Sequence, residues 1–282
     1  MLAATPRCRS DSRQVRMVEW RMLSRRALAT LIGGLLAGGV VLALLIALVL
    51  APRGGGGDAA PPAPTEAAPA PRWAAPAEVP PGASEPTRAG VAGLADPEWL
   101  AAVAAETGIP ERALAAYAGA AIAKNGERPD CDLGWNTLAG IGWVESRHGS
   151  YGGASIADDG TVSPPIIGIA LDGSTTALIP DTDDGAIDGD DEFDRAVGPM
   201  QFIPGSWANW FVDASGDGVA DPHNIDDASL AAANYLCRAT PTLGDEESWR
   251  AGIAAYNSAS SYLDAVATRS AFYAQAAADA VP

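Results

Sequence analysis

The stretch LGWNTLAGIGWVESR, residues 133–147, predicts a helix that carries one carboxyl group on an apolar face. The apolar positions and the acid recur at spacings of three, three and four residues, at Trp135, Leu138, Ile141 and Glu145. Burial raises the pKa of a carboxyl group, which suits a general acid near neutral pH. Periodicity leaves a second interpretation equally open, in which Glu145 lies at a frayed helix end and points into water.

Helical patterns continue on both sides of this stretch and predict a mainly α domain. Caps, glycine stops and apolar periodicity predict helices over 97–107, 110–124, 133–147, 206–212, 227–238, 246–256 and 261–278. Asp132 is expected to cap the third of these helices. Residues 150–198 lack helical periodicity and are rich in Gly, Asp, Pro and Thr, which predicts a long irregular or hairpin insertion.

The charge of the chain is acidic and unevenly distributed. The 282 residues include 18 basic and 35 acidic side chains, for a net charge of −17. Residues 1–26 carry seven Arg against two acids, whereas residues 27–282 carry 11 basic and 33 acidic side chains. Because phosphates repel an acidic surface, this composition argues against a nucleic-acid partner.

An N-terminal apolar segment predicts a membrane anchor. Residues 27–50 contain no charged side chain, and they exceed the ~20 residues that cross a bilayer as a helix. The basic tail, residues 1–26, precedes them, so the N-terminus is expected in the cytoplasm and the rest of the chain outside. The predicted location is the cell membrane, single-pass, with an extracytoplasmic domain. A cleaved signal peptide is the alternative, although its apolar region usually has only about 7–15 residues.

Residues 51–94 have the composition of a disordered linker. Of these 44 residues, 30 are Pro, Ala or Gly, and no periodicity is present. We expect this segment to hold the folded domain, residues 95–282, at some distance from the membrane.

Two of the three cysteines, Cys131 and Cys237, fall in the predicted exported domain. In an oxidising compartment they should form a disulfide. The separation of 106 residues would make this bond worth up to ~4–5 kcal/mol in the chain-entropy model. Two buried free thiols are the alternative.

Three short motifs follow one another along the domain: GIGWVES at 140–146, GPMQFIPGSW at 198–207 and AAYNS at 254–258. In this order and spacing they resemble the Glu-Ser, Gln and Ala-Tyr-Asn motifs of lytic transglycosylases. The resemblance covers residues ~95–282. It is to the membrane-bound lytic murein transglycosylase B-like group, of the actinobacterial type.

The resemblance implies a lysozyme-like fold, of the goose-type or lytic-transglycosylase kind, with a groove for peptidoglycan glycan strands. It implies that Glu145, the single catalytic residue, cleaves the MurNAc-β-1,4-GlcNAc bond. The muramyl 6-hydroxyl then attacks C1 and leaves a 1,6-anhydroMurNAc end, with no cofactor required. The substrate-binding residues that it implies are Ser146, Met200, Gln201, Phe202, Tyr256 and Asn257.

Several of these residues have simpler alternative roles. Met200 and Phe202 suit core packing as well as a groove wall, and Asn257 suits a helix C-cap. Ser146 is expected to bond either to substrate or only to the backbone. The hydroxyl of Tyr256 needs a partner, for which we expect Glu145 or substrate.

Two rival functions remain at this stage: a hydrolytic muramidase on the same fold, and a non-catalytic peptidoglycan-binding or scaffold protein. The expected partners are peptidoglycan strands and the membrane. Proteins of cell-wall synthesis or division are further candidates.

The segment 213–221 follows the spacing of a calcium-binding loop, with oxygen ligands at positions 1, 3, 5, 7 and 9 and Gly at position 6. The candidate ligands are Asp213, Ser215, Asp217, Val219 through its carbonyl, and Asp221. Position 12 is Asn224 instead of a bidentate Glu, so a metal-free turn is an equal alternative. The acidic run 181–192 fits no ligand spacing and is expected to be a solvated loop.

Overall fold

Seven α-helices build the part of the chain that the computed structural model describes, residues 70–281. They are α1 (Pro97–Thr107), α2 (Glu111–Glu127), α3 (Trp135–Ser146), α4 (Pro204–Trp210), α5 (Ile225–Ala239), α6 (Glu246–Tyr256) and α7 (Ser260–Ala280). The mainly α class is confirmed. The predicted basic tail, the apolar segment 27–50 and residues 51–69 lie outside the described residues.

The start of α3 differs from the prediction that Asp132 caps it. The helix begins at Trp135 with Gly134 as its N-cap, and Asp132 has φ +51° in the turn before it. Asn125 on α2 explains the delay, because its side chain exchanges two hydrogen bonds with the backbone of Leu133. The backbone of Leu133 is therefore held by α2 instead of entering the helix.

The packing of α3 against α7 is the most extensive helix contact in the described structure. The two helices run antiparallel, and Gly140 lies where they cross. A Cβ at this position would lie 2.2 Å from Ser270 Oγ and 3.0 Å from the Val266 carbonyl oxygen. The absence of a side chain lets the backbones approach, which brings the last turn of α3 beside the first turn of α7.

The chain before α1 is packed against the helices, so the domain boundary predicted at residue 95 is too late. The buried side chain of Asn136 on α3 accepts a hydrogen bond from Ala77 N and donates one to the Ala75 carbonyl. Farther along, Ala92 is fully buried. The composition was misleading because Ala and Gly, although poor in apolar area, allow a backbone to lie directly on a helix. The described part of the predicted linker, residues 70–94, therefore belongs to the folded unit.

The predicted insertion contains two small antiparallel ladders. Strand β1 (Ser155–Ile156) pairs with β2 (Val162–Ser163), and β3 (Ile167–Ala170) pairs with β4 (Arg195–Val197) through an irregular register. Gly198, directly after β4, has φ +76°, and a Cβ there would lie 1.9 Å from the Pro222 carbonyl oxygen. The turn that carries the Gln motif is thus pressed against the segment leading into α5.

The predicted disulfide is confirmed. Cys131, in a 3₁₀ turn before α3, is bonded to Cys237 near the end of α5, with a Cα–Cα distance of 5.5 Å. The bond closes a loop of 106 residues, so the chain-entropy argument for its contribution to stability applies.

No helix within residues 70–281 has the length and apolarity needed to cross a bilayer. The predicted anchor, residues 27–50, lies outside that range.

Candidate active site

Glu145 lies in the last turn of α3, where its side chain meets the first turn of α7. Its Oε1 accepts a hydrogen bond of 2.6 Å from the hydroxyl of Tyr262. Burial raises the pKa of Glu145 to about 7, against the opposing effect of the Tyr262 hydrogen bond, which lowers it. The geometry favours the buried acid over a frayed end pointing into water. The residue is half-buried, so the carboxyl is held in an apolar setting without being sealed off.

Tyr262 is the functional residue that the sequence analysis missed. The hydroxyl of Tyr256 was expected to bond to Glu145 or to substrate, but it donates to the Met200 carbonyl at 2.7 Å. Tyr262 reaches Glu145 because α7 runs antiparallel to α3. A signal was present in the sequence, since Tyr262, Val266 and Tyr273 recur at helical spacing on the buried face of α7.

Ser146 bonds to the backbone, which is the second of its two predicted roles. Its side chain is 1% exposed, and its hydroxyl donates to the Pro199 carbonyl at 2.6 Å. It also accepts a hydrogen bond from Gly149 N at 2.7 Å. The substrate-binding assignment of Ser146 is therefore wrong. The residue joins the end of α3 to the turn of the Gln motif.

Met200 and Phe202 also turn away from the surface. Met200 is fully buried and Phe202 is 4% exposed, and both belong to the main apolar core. The groove-wall role predicted for their side chains is wrong. They alternate with Gln201, so the tight turn sends the two apolar side chains inward.

Gln201 is half-buried and sits in a left-handed conformation with φ +50°. Its Nε2 donates to the Gly198 carbonyl at 2.9 Å, which orients the side chain. Its Oε1 accepts no hydrogen bond from the described residues. Backbone bonds in both directions between Val197 and Phe202 close the turn beneath it. Gln201 thus offers an oriented acceptor to a sugar hydroxyl or amide.

Asn257 is exposed at the end of α6. Its Oδ1 accepts a hydrogen bond from Ala259 N at 3.1 Å, which shapes the short turn into α7. The structure supports the turn role, and substrate binding by its free amide group stays a prediction.

These residues form a site suited to proton transfer. A carboxyl group whose pKa is about 7 is about equally populated in both forms at neutral pH, so it can donate a proton in one step and accept one in the next. Tyr262 occupies Oε1, and Oε2 accepts no hydrogen bond from the described residues. The second oxygen is therefore available to a bound substrate.

Residues 193–250 match the sequence model of the family described as Transglycosylase SLT domain. The chain is similar to lytic transglycosylases. The match contains the Gln-motif turn, α4, α5 and the first residues of α6, but neither Glu145 nor Tyr256. Comparisons with curated proteins and with solved structures gave no match. The mainly helical architecture fits this family's lysozyme-like domain, and the similarity supports a peptidoglycan-degrading lytic enzyme.

The predicted calcium ligands use their oxygens within the loop. Asp213 accepts hydrogen bonds from Gly216 N and Gly218 N, and Asp217 accepts one from Val219 N. A further buried carboxylate, that of Asp227 on α5, holds the backbone of this loop. It accepts hydrogen bonds from the backbone N–H groups of Ala214, Ser215 and Asp221. The loop is thus held closed by hydrogen bonds among the described residues.

Three carboxylates with the spacing of metal ligands converge elsewhere in residues 70–281. They belong to Asp181, Asp183 and Asp194, and one oxygen of each lies within 4.8 Å of the others. The expectation of a solvated loop missed this convergence, because Asp194 is fully buried and lies beyond the run. Calcium binding at 213–221 stays a prediction.

We predict that calcium raises the melting temperature of the protein relative to chelator, because a ligand that binds only the folded state stabilises it. Asp217→Asn should abolish this increase and Asp181→Asn should leave it intact. The same melting temperature with and without calcium would refute a calcium site at 213–221. If Asp181→Asn abolished the increase and Asp217→Asn did not, calcium would bind at the Asp181 group instead.

We predict that Tyr262→Phe shifts the alkaline limb of the pH profile of kcat/KM to higher pH. The hydrogen bond from Tyr262 lowers the pKa of Glu145, so its loss lets burial raise that pKa further and keeps the acid protonated at higher pH. Tyr256→Phe is the matched control, since its hydroxyl bonds to Met200 O, and it should not move the limb. A limb that stays in place in Tyr262→Phe would show that this bond does not control the ionisation.

Proposed function

We propose that the chain is a peptidoglycan lytic transglycosylase that cleaves the MurNAc-β-1,4-GlcNAc bond with Glu145 as its single acid and base. The observation that carries this proposal is the carboxyl of Glu145, half-buried and with a pKa of about 7. It lies in the folded unit whose residues 193–250 match the Transglycosylase SLT domain. The resemblance of the three motifs assigns the acid to this reaction.

In the first step, protonated Glu145 donates its proton from Oε2 to the glycosidic oxygen, and the bond from that oxygen to C1 of the muramic acid breaks. Tyr262 holds Oε1 throughout, which fixes the direction of the carboxyl group. Hydrolysis by paired carboxylates requires a second acid about 5–9.5 Å away to provide a nucleophile or activate water. In this proposal the substrate's own acetamido group stabilises C1 instead.

In the second step, ionised Glu145 takes the proton from the muramyl 6-hydroxyl while that oxygen bonds to C1. The carboxyl is then protonated again and ready for another cycle, and no water is consumed. A carboxyl with a pKa near the working pH suits both halves of this cycle, whereas an ordinary Glu would be ionised at the start.

Several features support a location outside the cytoplasm. The Cys131–Cys237 bond suits an oxidising compartment, and the apolar segment 27–50 with its basic flank suits a retained anchor. We propose that the N-terminus is cytoplasmic and that the folded domain reaches the wall from the membrane surface. Proteins of wall synthesis or division are proposed as its neighbours.

Digestion of purified peptidoglycan by the full chain should yield fragments that end in 1,6-anhydroMurNAc, identified by a mass lower by one water than the hydrolysed product. Mass spectrometry after chromatography is the measurement. Reducing-end MurNAc as the main product would replace the proposal with a hydrolytic muramidase. Lack of any cleavage would favour the scaffold protein.

Glu145→Gln should lower activity by at least ~10²–10⁴-fold, the usual contribution of general acid–base help, while glycan binding persists. The amide keeps the size of the side chain but has no transferable proton. The melting temperature should hold or rise, because a neutral amide costs less to bury than a carboxyl that ionises. Glu111→Gln, on the first turn of α2, is a matched control. Near-normal turnover by Glu145→Gln would refute the catalytic assignment.

A further inference from the structure

Gly168, in the interior of β3, is a glycine that its own backbone does not require. Its φ lies outside the left-handed range, so other residues could adopt the same conformation. Glycine inside a strand also destabilises the strand relative to a residue with a side chain. The register between β3 and β4 is irregular here. A glycine in such a position often marks a place where a ligand or another segment of chain approaches closely.

The segment that approaches Gly168 is the side-chain amide of Gln201. A Cβ at residue 168 would lie 3.2 Å from Gln201 Oε1 and 3.2 Å from the Ala196 carbonyl oxygen. Both distances are tighter than most Cβ contacts, so a side chain at residue 168 would require a neighbour to move. The carbonyl belongs to the paired strand β4, whereas the amide ends a flexible side chain. The amide is therefore the group that would be displaced.

The amide of Gln201 has a defined orientation that such a displacement would disturb. Its Nε2 donates to the Gly198 carbonyl at 2.9 Å and lies 3.5 Å from the Ile166 carbonyl oxygen. These two carbonyls fix the NH₂ group, which leaves Oε1 beside Gly168. Oε1 accepts no hydrogen bond from the described residues, and it is not sealed from solvent. It is an oriented acceptor with open space next to it.

Strand β3 is held in place on its other side. The Nη1 atom of Arg195 donates to the Gly168 carbonyl at 3.1 Å, and the same guanidinium forms an ion pair of 2.7 Å with Asp190. The strand is therefore fixed by a charged group as well as by its ladder. An added side chain at residue 168 would turn the amide more readily than it would shift the strand.

The Gln201 amide is connected to the acid site through the end of α3. Ser146, the residue after Glu145, donates to the Pro199 carbonyl in the turn that carries Gln201. The side chains of Ile167 and Ile169, which flank Gly168, are exposed. They alternate with Gly168 along the strand, so the face of β3 beside the amide is left clear.

We propose that Gly168 is a positioning residue for glycan binding, because its missing side chain keeps the Gln201 amide in place and leaves the space beside Oε1 free. A hydroxyl or amide group of the sugar then donates to Oε1. The inference rests on the proposed function, which places the strand at Glu145. A methyl group at residue 168 fills this space and turns the amide, so glycan binding weakens while the acid is unaffected.

Titration calorimetry on the full chain in detergent tests the role without any cleavage. The parent is the Glu145→Gln chain, and the ligand is a peptide-free tetrasaccharide of alternating GlcNAc and MurNAc. Gly168→Ala should weaken binding about fivefold, the usual effect of losing one neutral hydrogen bond, and Gln201→Ala should do the same. The double variant should bind no more weakly than Gln201→Ala alone, because both changes remove one interaction.

Gly126→Ala on α2 is the matched control, since a Cβ there would meet nothing within 4 Å, and it should bind like the parent. Two results would overturn the proposal. One is an unchanged affinity in Gly168→Ala. The other is a loss of about twenty-five-fold in the double variant, because independent effects multiply and residue 168 would then act without Gln201.

A nuclear magnetic resonance titration does not depend on the folding of any variant at residue 168. When the tetrasaccharide is added to the Glu145→Gln chain, the side-chain amide signal of Gln201 and the backbone amide signal of Gly168 should both shift. If either signal stays in place at saturating glycan, the ligand does not occupy the space between them and the proposal is wrong.

Cleavage kinetics separate this inference from the proposed function. With Glu145 intact, Gly168→Ala should raise KM about fivefold and leave kcat near the wild-type value, as expected for a loss of uniform binding. A fall in kcat at unchanged KM would show that residue 168 disturbs the acid, and it would overturn the positioning role. If the wild-type chain cleaves no peptidoglycan, the proposed function fails and the binding measurements decide this inference. If the Glu145→Gln chain binds no glycan, the inference fails as well.

Discussion

The close approach of α3 and α7 at Gly140 is the constraint on which the rest of the site depends. Any side chain at this position would overlap Ser270 Oγ and push the two helices apart. The bond between Glu145 and Tyr262 joins the same two helices one to two turns away, so it forms only at this separation. One missing Cβ therefore sets the geometry of the acid site.

The motif residues serve the architecture as much as the chemistry. Two hydroxyls, from Ser146 on α3 and Tyr256 on α6, donate to consecutive carbonyl groups at Pro199 and Met200. The turn that presents Gln201 is thereby attached to two helices at once. Its other side is pressed against Pro222 at Gly198. The three motifs are neighbours in space because these bonds connect them, and the oriented glutamine follows from that attachment.

Local signals in the sequence were enough to predict most of the helices and the position of the acid. Asp96 and Gly108 delimit α1 through a cap and a left-handed stop, which need no knowledge of the tertiary fold. The apolar stripe that ends at Glu145 likewise predicted that its carboxyl group is buried. Predicting the disulfide required only an oxidising compartment and the positions of the cysteines, because two of the three fall in one domain.

The predictions that failed share one cause: tertiary contacts, and not local sequence, determine where these residues lie. Whether Tyr256 or Tyr262 meets Glu145 depends on the antiparallel course of α7, and no spacing in the motif encodes that course. Ser146 and Met200 lie in matching motifs, yet the turn geometry directs both into the core. The chain before α1 looked like a spacer because its small residues lack apolar area. Asn136, more than fifty residues away, holds its backbone in place.

The covalent bond between Cys131 and Cys237 changes what a single backbone break does to this molecule. The closed segment contains Glu145, the irregular ladders and Gln201, whereas Tyr256 and Tyr262 lie beyond it. A protease that cuts one exposed bond in the insertion leaves two polypeptides that stay attached through sulfur. The acid remains on one piece and the glutamine passes to the other, but neither piece can diffuse away from the helices that orient it. The exposed loops can therefore be nicked once without separating the parts of the site.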